Sequence, residues 1–292
     1  MNRKPLKNLL YIIILTAVFI SCENPFYPFP HKDDVLTLQV KNQIEWNRAV
    51  NAIYKGGIGK TYNIVITGDI YISSFADYFL PTFNFLENIN ITITGNHLIT
   101  LSGDGCMFYL TGSQTLILHD VDLAGSENNY SALVRIGNGA SVIMKGTASI
   151  SGNYSSNAQG GGVCIEGGSF IMEDSSSVKN NSSYYGGGVY LSSGLFIMKG
   201  GSVSGNYSDA RGGGLYIRDG NFQINNGIIY GENENELSNM CVAHDSGIAL
   251  YLEEGSAEYG AFFINRWSGI PILYGGSQFR DQTINVIYGS LQ

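Results

Sequence analysis

The spacing of apolar residues changes once along this chain, from helical to strand-like. Between residues 42 and 54 the apolar side chains recur every three or four positions, which places them on one face of a helix. They are Trp46, Ala49, Val50, Ile53 and Tyr54. Asn42 followed three residues later by Glu45 is typical of a capping box, and the pair Gly56-Gly57 of a helix end. We therefore predict a helix over residues 42–57.

From Thr61 onward the period falls to two. Apolar and polar residues alternate for a few positions and then break at Gly, Asn or Asp in YNIVITGDIYIS, NITITGNHLITLSG and QTLILHDVDLAG. Such breaks come too often for helices and are typical of short strands joined by turns. The chain beyond the helix is therefore predicted to be all β.

A unit of 26 residues repeats within this β region. Triple glycines begin at Gly160, Gly186 and Gly212, which lie 26 residues apart. Four rows of residues keep the same spacing and are apolar throughout: Val163/Val189/Leu215, Ile165/Leu191/Ile217, Phe170/Phe196/Phe222 and Met172/Met198/Ile224. The rows between them are mixed in character. Because neighbouring positions of a strand face opposite ways, the apolar rows are predicted to point inward and the mixed rows outward.

A repeat of this length fits one coil of a solenoid. A propeller blade needs about 40 residues, whereas one coil of a parallel β-helix holds two or three short strands. Successive coils stack about 4.8 Å apart, so equivalent residues form columns. We therefore expect a column of phenylalanine rings, glycines at the corners, and a side-chain ladder of Asn153, Asn181 and Asn206 at the turns. The predicted fold is an all-β parallel β-helix of about eight coils, roughly 40 Å long.

The ends of such a solenoid need covers, because exposed strand edges promote aggregation. The helix 42–57 is expected to cap the first coil and to pack Trp46, Val50 and Ile53 on the open core. At the other end, terminal repeats are usually atypical.

The repeat also divides the chain. Coils are predicted over residues 61–231, and the repeat is clearest at 160–231. Residues 232–292 keep strand-like stretches such as TINVIYGS but lose the triple glycines. They are predicted to form atypical C-terminal coils and a cap.

The start of the chain is typical of an export signal. Three cations precede an apolar run of twelve residues, Leu9 to Ile20, which is too short to span a bilayer. The run ends in FISC, which resembles a bacterial lipobox. Residues 1–21 are predicted to be a lipoprotein signal peptide and Cys22 the lipidated residue, with an ordinary signal peptide cut nearby as the alternative. Prolines then predict an extended tether over residues 22–41.

Charge and cysteine content narrow the function classes. Removing residues 1–21 leaves 13 Lys and Arg against 24 Asp and Glu, a net charge of −11. Phosphate binding needs clustered Lys and Arg, and the sequence shows no such cluster, so nucleic acid is excluded as a partner. With Cys22 lipidated, Cys106, Cys164 and Cys241 permit one disulfide at most, and the sequence leaves its partners open. Histidines lie far apart in the sequence, so neither a metal nor a cofactor is expected.

The repeats resemble those of a known group of proteins. GASVIMKGTASISGNYSSNAQGGGVCIEGGSFIM and the two units after it are similar to the repeats of exported right-handed parallel β-helix proteins of bacteria, including adhesin-like and polymorphic outer-membrane proteins. The predicted helix followed by YNIVITGD, and the closing ALYLEEGSAEYG, resemble the ends of lipid-anchored members. The resemblance implies a right-handed coil, export and an anchor in the cell envelope, at the outer membrane or cell surface. It implies no particular activity, because folds of this type host many functions.

Glycan cleavage is the main enzymatic alternative. It needs a carboxylate cluster that binds Ca²⁺ beside a basic residue, or two carboxylates about 5–10 Å apart. Asp120 and Asp122 are the close acidic pair on a predicted strand, with His119 beside them. Residues two apart on a strand share a face, so both carboxylates could point the same way. Val121 and Leu123 would then point inward, and this alternation is also that of any strand with a solvated outer face. Asp120 and Asp122 are therefore weak catalytic candidates.

Tyrosines are the stronger binding candidates. Tyr190 and Tyr216 are expected on neighbouring coils in one outward column headed by Cys164, and Tyr207 at a turn. A flat aromatic surface stacks on sugars or anchors a protein partner. The favoured alternative is a ladder of rings that stabilises the sheet and contacts only itself, because aromatic pairs across strands are common wherever strands align.

The predicted function is that of a lipid-anchored, non-catalytic surface module. Its partners are expected to be the membrane, through lipid on Cys22, and a glycan or a host or envelope protein. A polysaccharide lyase or glycoside hydrolase is the first alternative, and a structural envelope component is the second.

Overall fold

The computed structural model describes residues 35–73, 81–231, 235–242, 250–259, 262–267 and 270–274. All of them belong to one compact unit, Asp33–Gln292. The predicted signal peptide 1–21, the lipidation candidate Cys22 and the first part of the predicted tether lie outside the described residues.

Strands and one α-helix make up the described chain, with a short 3₁₀ turn at Asn235–Leu237. The helix is α1 (Gln43–Gly56). The strands are β1 (Leu36–Val40), β2 (Thr61–Ile66), β3 (Ile70–Ser73), β4 (Ile89–Thr94), β5 (Leu98–Ser102), β6 (Phe108–Leu110), β7 (Gln114–His119), β8 (Asp122–Ala124), β9 (Val134–Gly137), β10 (Ser141–Lys145), β11 (Ser149–Ser151), β12 (Tyr154–Gln159), β13 (Val163–Met172), β14 (Ser177–Lys179), β15 (Ser182–Tyr185), β16 (Val189–Ser204), β17 (Tyr207–Arg211), β18 (Leu215–Ile229), β19 (Met240–Cys241), β20 (Leu250–Tyr259), β21 (Phe262–Trp267) and β22 (Ile270–Tyr274).

Three stacks of parallel strands form the coils. The first stack runs β1, β2, β4, β7 and β10 and continues through the later parts of β13, β16, β18 and β20. The second runs β3, β5, β8, β11 and β14 and continues into the ends of β16 and β18. The third runs β6 and β9 and then the beginnings of β13, β16, β18 and β20. The predicted fold class is confirmed: the chain is a parallel β-solenoid. It has about seven turns, against the eight coils expected.

The core is built from the predicted apolar rows. Every member of the four rows is at most 2% exposed. Phe170, Phe196 and Phe222 are register partners in the first stack, and their ring centroids lie 5.1 and 5.0 Å apart. Ring pairs at this distance stabilise the fold beyond simple burial of area, by about 1 kcal/mol each.

Helix α1 begins and ends as the sequence predicts. The Asn42 side chain accepts a hydrogen bond from the Glu45 backbone N–H at 2.9 Å, and the Glu45 carboxylate accepts one from the Lys41 N–H at 3.0 Å. Trp46, Ala49 and Ile53 are buried in the core, and Val50 packs against it partly exposed. The Trp46 ring meets Phe108 edge-on with centroids 5.8 Å apart, so one helix face covers the first coils. This packing supports the predicted N-terminal cap.

The predicted tether extends too far into the fold. Residues 36–40, assigned to the tether from their proximity to prolines, form strand β1 and pair in parallel with β2. Helix α1 is therefore inserted between the first two strands of the first stack. The sequence LTLQV already alternates like a strand, and its Val40 is fully buried.

A buried asparagine ladder lines the turn that follows the second stack. The predicted members Asn153, Asn181 and Asn206 are at most 1% exposed, and Asn129 and Asn239 extend the ladder at its ends. Side-chain amides donate from Asn129 to Asn153 at 2.8 Å, from Asn181 to Asn206 at 3.1 Å, and from Asn206 to Asn239 at 2.9 Å. The predicted ladder is confirmed.

The triple glycines lie at corners where coils approach closely. The first glycine of each triplet has a positive φ, between 63° and 73°, which glycine adopts without strain. A Cβ on the second glycine, Gly187, would lie 2.3 Å from the Tyr207 carbonyl oxygen. No side chain fits at that distance, which explains why the repeat keeps glycine there.

A second, four-stranded parallel sheet lies outside the three stacks. It contains β12, β15, β17 and β19. Each strand follows a residue of the asparagine ladder, and β12, β15 and β17 end directly before a triple glycine. We call it the side sheet. At the C-terminal end the pattern also changes, because β20 continues the parallel first stack whereas β21 and β22 are antiparallel.

Candidate functional site

The predicted tyrosine surface is covered in the structure. Tyr190 and Tyr216 are register partners on neighbouring coils, as expected, but they are only 2% and 4% exposed. Their rings stack at 5.3 Å, and Tyr216 stacks on Tyr251 at 5.1 Å. Burial raises the pKa of both phenols, Tyr190 and Tyr216, and so keeps them neutral. The expectation of an open surface here is wrong, and the alternative of a stabilising ladder describes these residues.

The side sheet is what covers this column. Cys164, Tyr190, Tyr216 and Tyr251 form a second hydrophobic cluster with Ala132, separate from the main core. Tyr185 of the side sheet packs against it, with its ring 4.9 Å from that of Tyr216. The inner row of the side sheet is buried: Ser155, Ser183, Ser208 and Cys241. The third stack is therefore sandwiched between the core and the side sheet.

The outward face of the side sheet carries a row of partly and fully exposed large side chains. Tyr154, Ser182, Tyr207 and Met240 are register partners across its four strands, and we call them the outer row. Tyr154 is 49% exposed and Met240 54%, whereas Tyr207 is half-buried. Ser182, with its small side chain, lies between the two tyrosines. Their Cα atoms are two strand spacings apart, about 10 Å.

A second exposed row flanks the outer row. Tyr184 lies two residues after Ser182 on β15 and is 46% exposed, and Val242 lies two residues after Met240 and is 59% exposed. Asp209, two residues after Tyr207 on β17, lies in the strand between them. Tyr184 meets Tyr185 edge-on at 4.7 Å, so its ring is held in place by the ring that packs on the buried column. Exposed apolar residues gathered in one patch mark interaction surfaces on soluble proteins.

A polar groove opens where the side sheet begins. Its volume is about 260 Å³, and its lining comes from the third stack, from β12 and from the turn before β9. The lining residues are Tyr130, Ser131, Ala132, Arg135, Asn157, Ala158, Gln159, Cys164 and Glu166. No sequence motif marks this groove, because its residues come from separate segments of the chain that meet only through coil stacking.

Arg135 and Glu166 provide the charges of this groove. The Arg135 Nη2 donates to both Glu166 carboxylate oxygens, at 3.0 and 2.8 Å, and the guanidinium carbon lies 5.0 Å from the centre of the Tyr109 ring. Burial opposes the charge of Arg135, but the Glu166 carboxylate outweighs it and raises the pKa of Arg135. The two side chains therefore form an ion pair in the wall of the groove.

The thiol at the base of the groove is unreactive. Cys164 is 4% exposed, and burial raises the pKa of its thiol far above the usual range, followed by the effect of the Glu166 charge. Burial also raises the pKa of Cys106. Because the thiolate is the nucleophile, neither group is activated. Among the described cysteines, Cys106, Cys164 and Cys241 form no disulfide.

The acidic candidates Asp120 and Asp122 accept hydrogen bonds from the neighbouring coil. Asp120 precedes strand β8 in a left-handed turn with φ 52°, and its Oδ1 accepts hydrogen bonds from the Thr147 N–H and hydroxyl at 2.8 and 3.1 Å. These bonds lower the pKa of Asp120. Asp122 accepts a short hydrogen bond from the Ser149 hydroxyl. His119 lies 3.4 Å from Asp120. Both carboxylates therefore join successive coils at the turn, and Val121 and Leu123 point inward as expected.

Within the described ranges, no group of three His, Cys, Asp or Glu side chains has the arrangement of a metal site. No helix among the described residues is long and apolar enough to cross a bilayer.

Comparison with known proteins adds no relative. No protein-family model, curated protein or solved structure matches the chain. The function is therefore inferred from the residues and their geometry.

Proposed function

We propose that this chain is a non-catalytic binding module of the bacterial cell envelope, and that the outward face of its side sheet binds an extended neutral glycan. The observation that carries the proposal is the outer row, in which Tyr154 and Tyr207 present their rings on alternate strands of a rigid sheet. Such a surface needs no rearrangement to bind, so little entropy is lost in ordering it.

The chemistry of the outer row suits sugars. Tyrosine offers a flat apolar ring for the C–H face of a pyranose and a hydroxyl at its tip. The spacing of about 10 Å between alternate strands is close to the length of one disaccharide unit in an extended β-linked glycan. Ser182, between the rings, is only 9% exposed, so contact with a sugar is made by the two tyrosine rings and not by Ser182.

Charge favours a neutral ligand. Asp209 flanks the outer row, and the chain after residue 21 carries a net charge of −11. Acidic glycans and nucleic acids are repelled by such a field. The affinity for a neutral glycan is not reduced by this negative field.

The anchor belongs to the same proposal. The apolar run before FISC and the resemblance to exported β-helix lipoproteins support lipidation of Cys22 after removal of residues 1–21. A lipid chain on Cys22 and a tether ending before Leu36 hold the solenoid at the membrane surface. Because one acyl chain binds weakly, lipoproteins with several chains stay attached more firmly.

The enzymatic alternative has weaker support. Asp120 and Asp122 accept hydrogen bonds from Thr147 and Ser149, which gives both carboxylates a role in joining coils. A general acid needs a raised pKa, whereas the pKa of Asp120 is lowered.

A glycan array tests the proposal. The purified full-length chain, kept in a detergent without a sugar headgroup, is expected to retain neutral β-linked glycans intact, as mass analysis of the bound material will show. The double variant Tyr154→Ser, Tyr207→Ser is expected to lose this binding at least tenfold, with its melting temperature unchanged. Tyr71→Ser, which changes an exposed tyrosine on β3, serves as the control and is expected to bind normally.

Three results would overturn it. Shortened or unsaturated products would favour the enzyme, and full binding by the double variant would place the site elsewhere. Absence of glycan binding would leave a protein partner or a structural role in the envelope.

A further inference from the structure

The groove beside Arg135 lies where the buried column of the third stack loses its cover. Along this column the outward residues are Tyr109, Arg135, Cys164, Tyr190 and Tyr216, one per coil. The side sheet covers the later members, and β12 is its first strand. The chain before β9 forms a turn instead of a fifth side strand. Arg135 is therefore left partly open, at 24% side-chain exposure.

The charge of the lining is balanced. Arg135 and Glu166 are its charged residues, and they neutralise each other at 2.8 Å. An ion entering the groove would meet no net opposite charge and would lose its hydration. A neutral ligand that both donates and accepts hydrogen bonds meets suitable partners on both sides, because the guanidinium offers donors and the carboxylate acceptors.

Hydrogen-bonding capacity in the groove is left unused. The Asn157 and Gln159 side chains project from β12 at exposed positions, and within the described residues their amides make no hydrogen bond. Arg135 uses only Nη2 toward Glu166. Planar groups of this kind bind adjacent hydroxyls in pairs, because each presents two donors or acceptors in one plane.

One side of the groove is apolar. Ala132 and Cys164 are 2% and 4% exposed and lie beside Ala158 in the lining. The neutral thiol and the two methyl groups form a surface without charge. Ala158 is the partly exposed member of this side, so the C–H face of a sugar ring would pack mainly on its methyl group while the ring hydroxyls remain free for polar partners.

We propose that this groove binds a single neutral sugar ring, with adjacent ring hydroxyls bridging Arg135 and Glu166 and further hydroxyls on the Asn157 and Gln159 amides. The volume of about 260 Å³ lies just below the usual range for ligand pockets, about 300–1,000 Å³, and suits one ring better than an oligosaccharide. The choice of a sugar as ligand rests on the proposed function, but the groove is a different site from the outer row. It would bind one end of a glycan or a single substituent on it.

Ligand-observed NMR tests the site with small probes. Methyl glycosides of glucose, galactose, mannose and N-acetylglucosamine are titrated into the full-length chain, and saturation transfer is measured. At least one is expected to bind, and the double variant Asn157→Ala, Gln159→Ala is expected to weaken it about tenfold, as expected for loss of hydrogen bonds. Both residues are exposed, so the variant is expected to keep the wild-type melting temperature.

The outer-row variant separates the two proposals. Tyr154→Ser, Tyr207→Ser is expected to leave the binding of methyl glycosides unchanged, because those side chains do not line the groove. Absence of transfer for all four probes, or equal affinity in the wild type and the Asn157/Gln159 variant, would overturn the groove as a sugar site, while the glycan array still decides the proposed function. Loss of probe binding in the outer-row variant would assign the sugar to the outer row and also overturn the inference.

Discussion

Single residues hold the turns of this solenoid together, and the asparagine ladder does so inside the protein. The Asn181 amide donates to the Ile150 and Lys179 carbonyl oxygens and to Asn206, at 3.0 to 3.1 Å, and accepts from the Asn153 N–H at 3.2 Å. All of this occurs at 1% exposure. Buried polar groups left without partners are costly.

Asn181→Ala is therefore expected to lower the free energy of unfolding by roughly 2–4 kcal/mol, because it removes one side chain and leaves several buried partners without their hydrogen bonds. Chemical unfolding measures the change. Asn90→Ala, at an exposed position on β4, is the matched control and is expected to change it by less than about 0.5 kcal/mol. Equal effects of the two substitutions would show that the ladder does not stabilise the fold.

For single residues, the sequence predicts which way a side chain points better than it predicts what packs against that side chain. The row of Phe170 was predictable, because a fixed repeat combined with strand alternation tells which side chains point inward. The asparagine ladder was predictable from its recurrence at similar turn positions, although Asn153, Asn181 and Asn206 lie 28 and 25 residues apart. The same alternation places Tyr190 and Tyr216 outward, which is correct, but it contains no information about what packs on that side. Their burial depends on the side sheet, whose strands are short and rich in serine.

Among the elements, helix α1 and the side sheet are the two additions to the plain coil. The helix was predictable because its apolar spacing and both of its ends carry local signals. The side sheet was not recognised, although a signal exists: Ser155, Ser183 and Ser208 recur one residue after the positions of the outer row. A small buried residue beside an exposed tyrosine indicates a strand with two different faces.

The helix is expected to contribute strongly to stability. Trp46 is 1% exposed and contacts Phe108, so Trp46→Ala is predicted to cost about 3–5 kcal/mol, the usual range for removing a large buried aromatic side chain. Ile44→Ala, at 65% exposure on the same helix, is predicted to cost less than about 1 kcal/mol. Thermal and chemical unfolding of both variants provide the measurement, and a small loss for Trp46→Ala would mean that α1 is not part of the core.

Over the whole molecule, stacking brings together residues that the sequence keeps apart. Arg135 and Glu166 are 31 residues apart in the chain and 2.8 Å apart in space, because they lie on neighbouring coils. The charged and amide side chains of the groove have no common motif, and no sequence pattern finds such a site. By contrast, the solenoid itself was predictable, because each repeat is one coil and the 26-residue spacing sets the register of the columns.

The rigid side sheet makes the length of the ligand a sensitive probe of the whole surface. Two tyrosines about 10 Å apart are contacted together only by a glycan long enough to reach both. Each aromatic contact then adds to the same binding event.

The decisive measurement is isothermal titration of the full-length chain with a length series of one neutral β-linked glycan, from two to six sugars. We predict that affinity rises with length until the glycan reaches from Tyr154 to Tyr207 and then levels off, and that Tyr207→Ser removes most of the rise while leaving the shortest member unchanged. Affinity that does not depend on length, or a rise that persists in Tyr207→Ser, would contradict glycan binding by the side sheet.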